Sequence, residues 1–226
     1  MNEAHLPVSA SRTFRRAGAA LVGVAFALLV AACGALPDKP GRVALYDFGP
    51  GLEPAAAPDV GAAALPPIAL ADIDGNARLE GTQLLYRLGY ADANELRPYG
   101  QSRWSLAPAQ LLRQRLVDAL AVRRTVLGPE DGGAVVRSEG KAPDTLRVTL
   151  DEFSHYFESP ARSVGLVRVH ATLTRYNAGG ERVLAQRSFT VRHPAASPDA
   201  AGGVKALVAA SDAVVADLVA WVNQPR

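Results

Sequence analysis

The chain has 226 residues and one cysteine, and its 24 Lys and Arg nearly balance its 22 Asp and Glu. Because no run of Lys or Arg accompanies this balance, the composition excludes a protein that binds nucleic acid through its overall charge. A single cysteine excludes an intramolecular disulfide, so packing must stabilise the fold.

The amino-terminal region has the pattern of a secretory signal peptide. Three arginines within residues 12–16 precede an uninterrupted run of small and apolar residues at 17–32,. As a helix this run would span about 24 Å, which is shorter than the ~30 Å hydrocarbon core of a bilayer. The segment Val30, Ala31 and Ala32, followed by Cys33, resembles the lipobox of bacterial lipoproteins. In such proteins the cysteine receives a diacylglyceryl group and becomes the acylated amino terminus.

This pattern divides the chain into a signal peptide at 1–32, a lipidated cysteine with a short tether at 33–41, and one domain at 42–226. Acyl chains on Cys33 would anchor the protein firmly, because each buried methylene contributes about 0.8 kcal/mol. In the enterobacterial sorting scheme that such lipoproteins resemble, an aspartate after the cysteine retains the protein in the inner membrane. This chain has Gly34 there. We therefore expect a lipid-anchored protein on the periplasmic face of the bacterial outer membrane.

β-branched and aromatic residues predict four strands in the first half of the mature chain, at 42–48, 68–73, 82–90 and 94–99,. The last two form a predicted pair that turns around Ala91 and Asp92. An Ala- and Pro-rich segment at 51–67 has no periodicity and is predicted to be a loop. A helix is predicted at 105–124, because apolar residues recur at helical spacing and Pro108 fits its first turn.

Longer alternating strands follow in the second half. Residues 146–150 alternate, and the apolar phase shifts past Asp151 and Glu152, which predicts a bulge or bend,. A strand at 167–173 and a hairpin turn at 177–180 come next, and the last helix is predicted at 204–223. These elements predict an α+β fold of two layers, with a mainly antiparallel sheet and two long helices packed on one face.

Several short motifs then occur in the order of a known family. They are Tyr46 in the first strand, Leu84 to Arg87, Leu96 to Tyr99, Arg103 with Trp104, Pro108 before Leu111 and Leu112, and Trp221 in the last helix. In this order the chain resembles the ABC-type transport auxiliary lipoproteins, the PqiC-like lipoproteins that accompany MCE-domain lipid transport systems. The chain departs from the family pattern in its long loop at 51–67.

The resemblance implies an outer-membrane-anchored, periplasmic accessory lipoprotein that acts as a docking scaffold in intermembrane lipid transport or envelope maintenance. The implied partners are the membrane, through the lipid anchor, an MCE-domain protein, and the permease and ATPase of an ABC transporter. The sequence leaves open whether the chain also forms a homo-oligomer. The alternative, from a different class of protein, is a lipid-binding carrier with an apolar groove between the sheet and the helices.

The candidate contact residues with a partner or a lipid are Tyr86, Arg87, Tyr99, Arg103 and Trp104. Aromatic rings can supply an apolar contact surface, and guanidinium groups can meet acidic headgroups or carboxylates. The alternative is core packing for Trp104 and ordinary surface ion pairs for the arginines, which contribute little to stability.

No motif indicates catalysis or metal binding. HExxH, CxxC, GxSxG and P-loop spacings are all missing from the sequence,. His155 shares the phase of Phe153 and Phe157, so we expect it to pack rather than to catalyse. We therefore expect a non-enzymatic protein without cofactor, metal or nucleic acid, and an envelope hydrolase is the least favoured hypothesis.

Overall fold

The computed structural model describes residues 42–51, 65–131 and 142–225. The lipobox at 30–33, Gly34, the tether and most of the 51–67 loop lie outside the described residues. The lipidation of Cys33 and the signal peptide therefore stay predictions.

The described residues form nine strands and two α-helices. In chain order these elements are β1 Ala44–Tyr46, β2 Ile68–Leu70, β3 Asp74–Gly75, a 3-10 turn Ala77–Leu79, β4 Gln83–Leu88, β5 Asp92–Trp104, α1 Pro108–Ala121, β6 Val126–Leu127, a 3-10 turn Pro129–Asp131, β7 Asp144–Ser159, β8 Arg162–Asn177, β9 Gly180–Pro194 and α2 Ala200–Val222. The α+β class is thereby confirmed.

The strands form one mixed sheet organised around β7. One edge of β7 pairs antiparallel with β8, which in turn pairs antiparallel with β9. The other edge pairs in succession with β2, β3 and β4, all parallel to it. β4 pairs antiparallel with β5, and β5 pairs in parallel with β1 at the sheet edge.

The prediction of a mainly antiparallel sheet therefore holds only for the long ladders. Five of the eight strand pairings are parallel, and three are antiparallel. The physical reason is that alternation reports which face of a strand is buried, whereas the direction of its partner depends on long-range connections.

Two local predictions are confirmed by the register of the strands. The β7–β8 register shifts between Leu150 and Glu152, where the apolar phase of the sequence changes,. The turn at 177–180 joins β8 to β9, with Gly180 at a φ of 109°. Glycine accommodates this left-handed backbone at no steric cost.

Both helices pack against the sheet and against each other in one hydrophobic cluster. α1 begins with Pro108 in its first turn, and α2 begins at an N-cap, Asp199, whose side chain accepts a hydrogen bond from Gly202 N at 2.7 Å,. α2 lies directly on β8 at Gly165, because a Cβ at that position would collide with the backbone of Ala206 and Leu207. The same helix lies directly over the buried side chain of His155, next to Gly203.

Candidate functional site

The five candidate contact residues all lie on the β4–β5 pair, but their surroundings differ. One is in the hydrophobic core, one forms a buried ion pair, and three are half-buried. Tyr86 and Tyr99 are half-buried, with ring centroids 4.7 Å apart on the side of the sheet that α2 covers. Arg103 is half-buried and lies in register with Leu45 of β1. The structure therefore brings Tyr86 and Tyr99 together and places Arg103 next to the edge strand β1.

Trp104 is a core residue. Its side chain is only 1% exposed, and its ring makes edge contacts with Phe48 at 5.8 Å and with Phe153 at 5.5 Å between centroids. A partner could not reach this ring without unfolding its surroundings. The packing alternative is therefore the correct one for Trp104, and its place among the contact residues was wrong.

Arg87 lies on the face of the sheet away from the helices and forms a buried ion pair. Its Nε and Nη2 donate to Glu152 Oε1 and Oε2 at 3.2 and 3.1 Å, and its Nη1 donates to the carbonyls of Ala93 and Asn94, both at 3.2 Å. The Arg87 side chain is 10% exposed and that of Glu152 is 15% exposed. This pair holds β4, β5 and β7 together, so Arg87 offers little free charge to a headgroup.

A second polar network lies beneath the N-terminus of α2. His155 is fully buried, its Nδ1 lies 2.9 Å from the hydroxyl of Tyr99, and its Nε2 lies 2.7 Å from Ser163 Oγ. The imidazole packs at 4.4 Å from the ring of Phe157, and Gly203 of α2 lies so close that a Cβ there would collide with it. Both ring nitrogens are therefore occupied, and the packing expected for His155 is what the structure shows.

The chemistry of this network favours packing over proton transfer. Burial lowers the pKa of His155 to about 4, while the charge of Asp199 raises it slightly,. Burial also raises the pKa of the Tyr99 hydroxyl. The group at Nδ1 of His155 is therefore a neutral hydroxyl, whereas a catalytic triad has a carboxylate in that place,. Ser163 is itself buried. A base this weak, next to a hydroxyl without access to solvent, is poorly suited to activating a nucleophile.

A groove of about 710 Å³ lies between α1 and α2. Its apolar lining comes from both helices and from the residue after α1, namely Ala119, Leu120, Val122, Val215 and Val219. The carrier alternative placed its groove between the sheet and the helices, and the core cluster fills most of that space. A separate pocket of about 430 Å³ lies between β1 and α2, where Leu45 and Tyr46 face Val204 and Val208.

Arg115 lies at one end of the groove as a buried guanidinium. Its side chain is 8% exposed, its Nε lies 3.2 Å from Asp212 Oδ1, and its Nη2 donates to the carbonyl of Phe48. Its Nη1 has no hydrogen-bond partner among the described residues. Burial raises the pKa of Asp212, while the charge of Arg115 lowers it.

Sequence reasoning missed three of these residues. Arg115 is a polar residue of the predicted helix at 105–124, but it lies three residues after the buried Leu112 and next to the buried Leu116. Helical spacing alone could have found it. No local signal could have found Glu152 as the partner of Arg87, or Ser163 as the partner of His155, because these contacts depend on strand register.

The described residues contain no helix that is long and apolar enough to span a membrane. Within the same ranges, no group of three or more His, Cys, Asp or Glu side chains is arranged to hold a metal ion.

Comparisons with known proteins agree with this fold. The chain is similar to a protein of known structure from Xanthomonas campestris, with 20% identity, a TM-score of 0.64, and coverage of 80% of this chain and 94% of that one. It is also similar to a solved structure described as an uncharacterized protein, with 14% identity, a TM-score of 0.58, and coverage of 80% and 99%. At these identities the likeness concerns the fold alone. No curated protein matches the chain.

The family assignment comes from the sequence match over most of the chain. Residues 46–219 match the model of the family described as ABC-type transport auxiliary lipoprotein component. The match includes the β4–β5 pair, α1, most of α2 and the whole of the long β7–β8–β9 ladder. The chain therefore belongs to the ABC-type transport auxiliary lipoprotein family.

Proposed function

We propose that the protein is a non-enzymatic accessory lipoprotein of an MCE-type ABC lipid transport system, anchored in the outer membrane through acyl chains on Cys33. In this role it is a docking scaffold on the periplasmic face, and the transporter's own subunits supply ATP hydrolysis and transport. Family membership and the lipobox pattern at 30–33 support this proposal.

The observation that carries the docking role is the exposed apolar edge of the sheet at β1. Within the described ranges β1 pairs only with β5, so its other edge presents unpaired backbone groups,. Leu45 is 70% exposed and Val43 is 42% exposed. An edge with exposed apolar side chains is suited to pairing with an extended segment of another protein.

The opposite edge, β9, differs in its charges. β9 carries the exposed arginines Arg182, Arg187 and Arg192, and arginine or lysine on an edge strand discourages pairing with a further strand,. β1 itself carries no charged residue, and its register partner Arg103 can meet an acidic side chain of an incoming segment. The β1 edge is therefore the docking surface that we propose for the MCE-domain protein.

One experiment tests the anchor and the docking surface separately. The chain is produced together with the MCE, permease and ATPase proteins of its own source. Cells are then crosslinked mildly, the inner and outer membranes are separated, and the chain is isolated. Leu45→Asp is the test variant, Val183→Asp on β9 is its control because Val183 is 54% exposed, and Cys33→Ser tests the anchor.

We expect the wild-type chain in the outer membrane fraction together with the MCE protein. Leu45→Asp should remain in the outer membrane fraction but no longer be isolated with the MCE protein. Val183→Asp should remain in that fraction and still be isolated with the MCE protein. Cys33→Ser should no longer be found in the membrane fraction. Recovery of the wild-type chain without any MCE protein would contradict the proposed docking. Membrane retention of Cys33→Ser as an integral protein would contradict the lipid anchor.

A further inference from the structure

The pocket between β1 and α2 lies beside the edge of the sheet at β1. Residues 45–49 line it on one side, and residues of α2 between Val204 and Asp212 line it on the other. Leu45 and Lys205 belong to this lining and are exposed, so the pocket opens to solvent. Its volume of about 430 Å³ lies at the small end of the range of ligand pockets,.

The backbone of β1 presents hydrogen-bonding groups to the same side at Leu45. The carbonyl of Tyr46 accepts a hydrogen bond from Ser105 N at 2.7 Å, so the backbone groups of Tyr46 face β5. Successive residues of a strand direct these groups to opposite edges, and those of Leu45 therefore point away from β5. Among the described strands only β5 pairs with β1. A further strand that joins this edge therefore pairs at Leu45.

The side chains of such a strand would alternate between the two faces of the sheet, and every second one would lie on the side of α2. Lys205 and Val208 are three residues apart and project from one face of that helix,. They are separated by about 4.5 Å along the helix axis, whereas alternate residues of a strand are about 6.7 Å apart. The long lysine side chain can bridge this difference. One incoming side chain can therefore enter the pocket at Val208 while the next on that face meets Lys205.

The charges of the lining favour an acidic residue at the second position. Asp212 pairs with Arg115, and Asp47 accepts a hydrogen bond from Gly49 N at 2.8 Å. Lys205 forms no ion pair within the part of the chain that the structure describes. The uncompensated charge at the pocket is therefore positive, and a carboxylate complements it.

We propose that β1 binds an extended segment of the partner protein in which an apolar and an acidic residue stand two positions apart. The backbone of the segment pairs with Leu45, the apolar side chain fills the pocket against Val208, and the carboxylate pairs with Lys205. This recognition rests on the proposed docking of an MCE-domain protein at β1, and it specifies which kind of segment docks there.

Site-specific photocrosslinking tests the proposal in cells that produce the full-length chain with the MCE, permease and ATPase proteins of its own source. A small diazirine amino acid replaces either Ala209, which lines the pocket, or Ala216, which is exposed on α2 outside it. Crosslinked peptides are identified by mass spectrometry. We expect the MCE protein to be crosslinked from residue 209 and not from residue 216, through a segment with an acidic residue two positions from an apolar one.

Two substitutions test the two side-chain contacts. Lys205→Glu should reduce the amount of MCE protein isolated with the chain about tenfold, because it places two like charges together. Val208→Trp should have a similar effect, because the larger ring fills the pocket. The controls Arg182→Glu and Ala220→Trp change exposed positions outside the pocket and should leave the amount unchanged.

An exchange of charges then tests the ion pair directly. A lysine in place of the acidic residue of the crosslinked segment should weaken binding to the wild-type chain and restore binding to Lys205→Glu. Because Lys205 is exposed, this exchange decides even where Val208→Trp does not fold.

The outcomes separate this recognition from the docking function. If Leu45→Asp releases the MCE protein but Lys205→Glu and Val208→Trp both retain it, docking at β1 stands and the proposed segment is wrong. A missing crosslink from residue 209 to a bound MCE protein, or a crosslink to a segment without an acidic residue, would also overturn it. Isolation of the wild-type chain without any MCE protein would contradict the docking function itself, and the recognition with it.

Discussion

The two faces of the sheet bury polar groups in different ways where β4 lies beside β7. On the face under α2, the groups are neutral, with His155 between the hydroxyls of Tyr99 and Ser163. On the face away from the helices, the groups are charged, with Arg87 bonded to Glu152 through two nitrogens.

The difference follows from access to water. The helix N-terminus seals His155 completely, and a charged imidazole there would lose its hydration without gaining a partner of opposite charge in direct contact,. Arg87 and Glu152 keep 10% and 15% exposure of their side chains. Arg87 donates to both oxygens of Glu152 and also to two backbone carbonyls. The completely buried His155 is thus neutral, whereas the partly exposed Arg87 and Glu152 are charged and paired with each other.

The largest expected effect comes from removing one partner of the charged network. Arg87→Met should lower the free energy of unfolding by about 3 kcal/mol, because it leaves Glu152 partly buried without a counter-charge and frees two carbonyls,. Urea unfolding of the full-length chain measures this change. The control is Arg97→Met on the neighbouring strand. Its ion pair with Glu95 is 40% and 49% exposed and should contribute little to stability, because solvent screens it,. Equal effects of the two substitutions would refute the distinction between the faces.

A pH titration of stability tests the neutral network. Since the pKa of His155 is lowered to about 4 in the folded chain, against 6.5 when unfolded, only the unfolded chain takes up this proton between these values. Stability should therefore fall as the pH drops from about 6.5 to about 4, by about 3 kcal/mol at ~1.4 kcal/mol per pKa unit, and this contribution is complete above pH 6.5.

Two variants assign that pH dependence to His155. His155→Gln should flatten the profile between pH 4 and 6.5, whereas His193→Gln, at an exposed position of β9, should preserve it. The pKa of Asp199 is lowered chiefly by the hydrogen bond from the Gly202 N–H. Protonation of Asp199 therefore reduces stability only around and below its ordinary pKa of 3.8,. A profile unchanged by His155→Gln would show that other groups cause the dependence.

The smallest effect concerns one hydroxyl of the same network. Tyr99→Phe keeps the ring contact with Tyr86 but removes the 2.9 Å hydrogen bond to His155 Nδ1, so the free energy of unfolding should fall by about 1 kcal/mol,. Tyr90→Phe is the control, because Tyr90 is 48% exposed. A Tyr99→Phe variant as stable as wild type would mean that the hydroxyl does not stabilise the buried imidazole.

The sequence anticipated much of the local structure of these regions. The alternation around Phe153 placed His155 on the buried face, and the phase change at Asp151 and Glu152 marked the bulge. The predicted helices at 105–124 and 204–223 overlap most of α1 and α2. These features depend on residues that are neighbours in the chain, so their periodicity is visible in the sequence.

The candidate site could be predicted only in part. Tyr86 and Tyr99 do lie together, but the roles of Arg87, Trp104 and Arg115 were decided by burial, which single-strand or single-helix patterns did not report. Arg87 and Glu152 are 65 residues apart in sequence, and they meet because β4 joins β7 in parallel.

By itself the sequence determined the signal and lipobox pattern, the family, the α+β class and the buried face of β7. Only the tertiary structure decided the direction of strand pairing, the ion pair of Arg87, the exposed edge at β1 and the groove between the helices. The physical reason is that periodicity arises from the geometry of one element, whereas partners, edges and grooves arise when elements distant in sequence pack together.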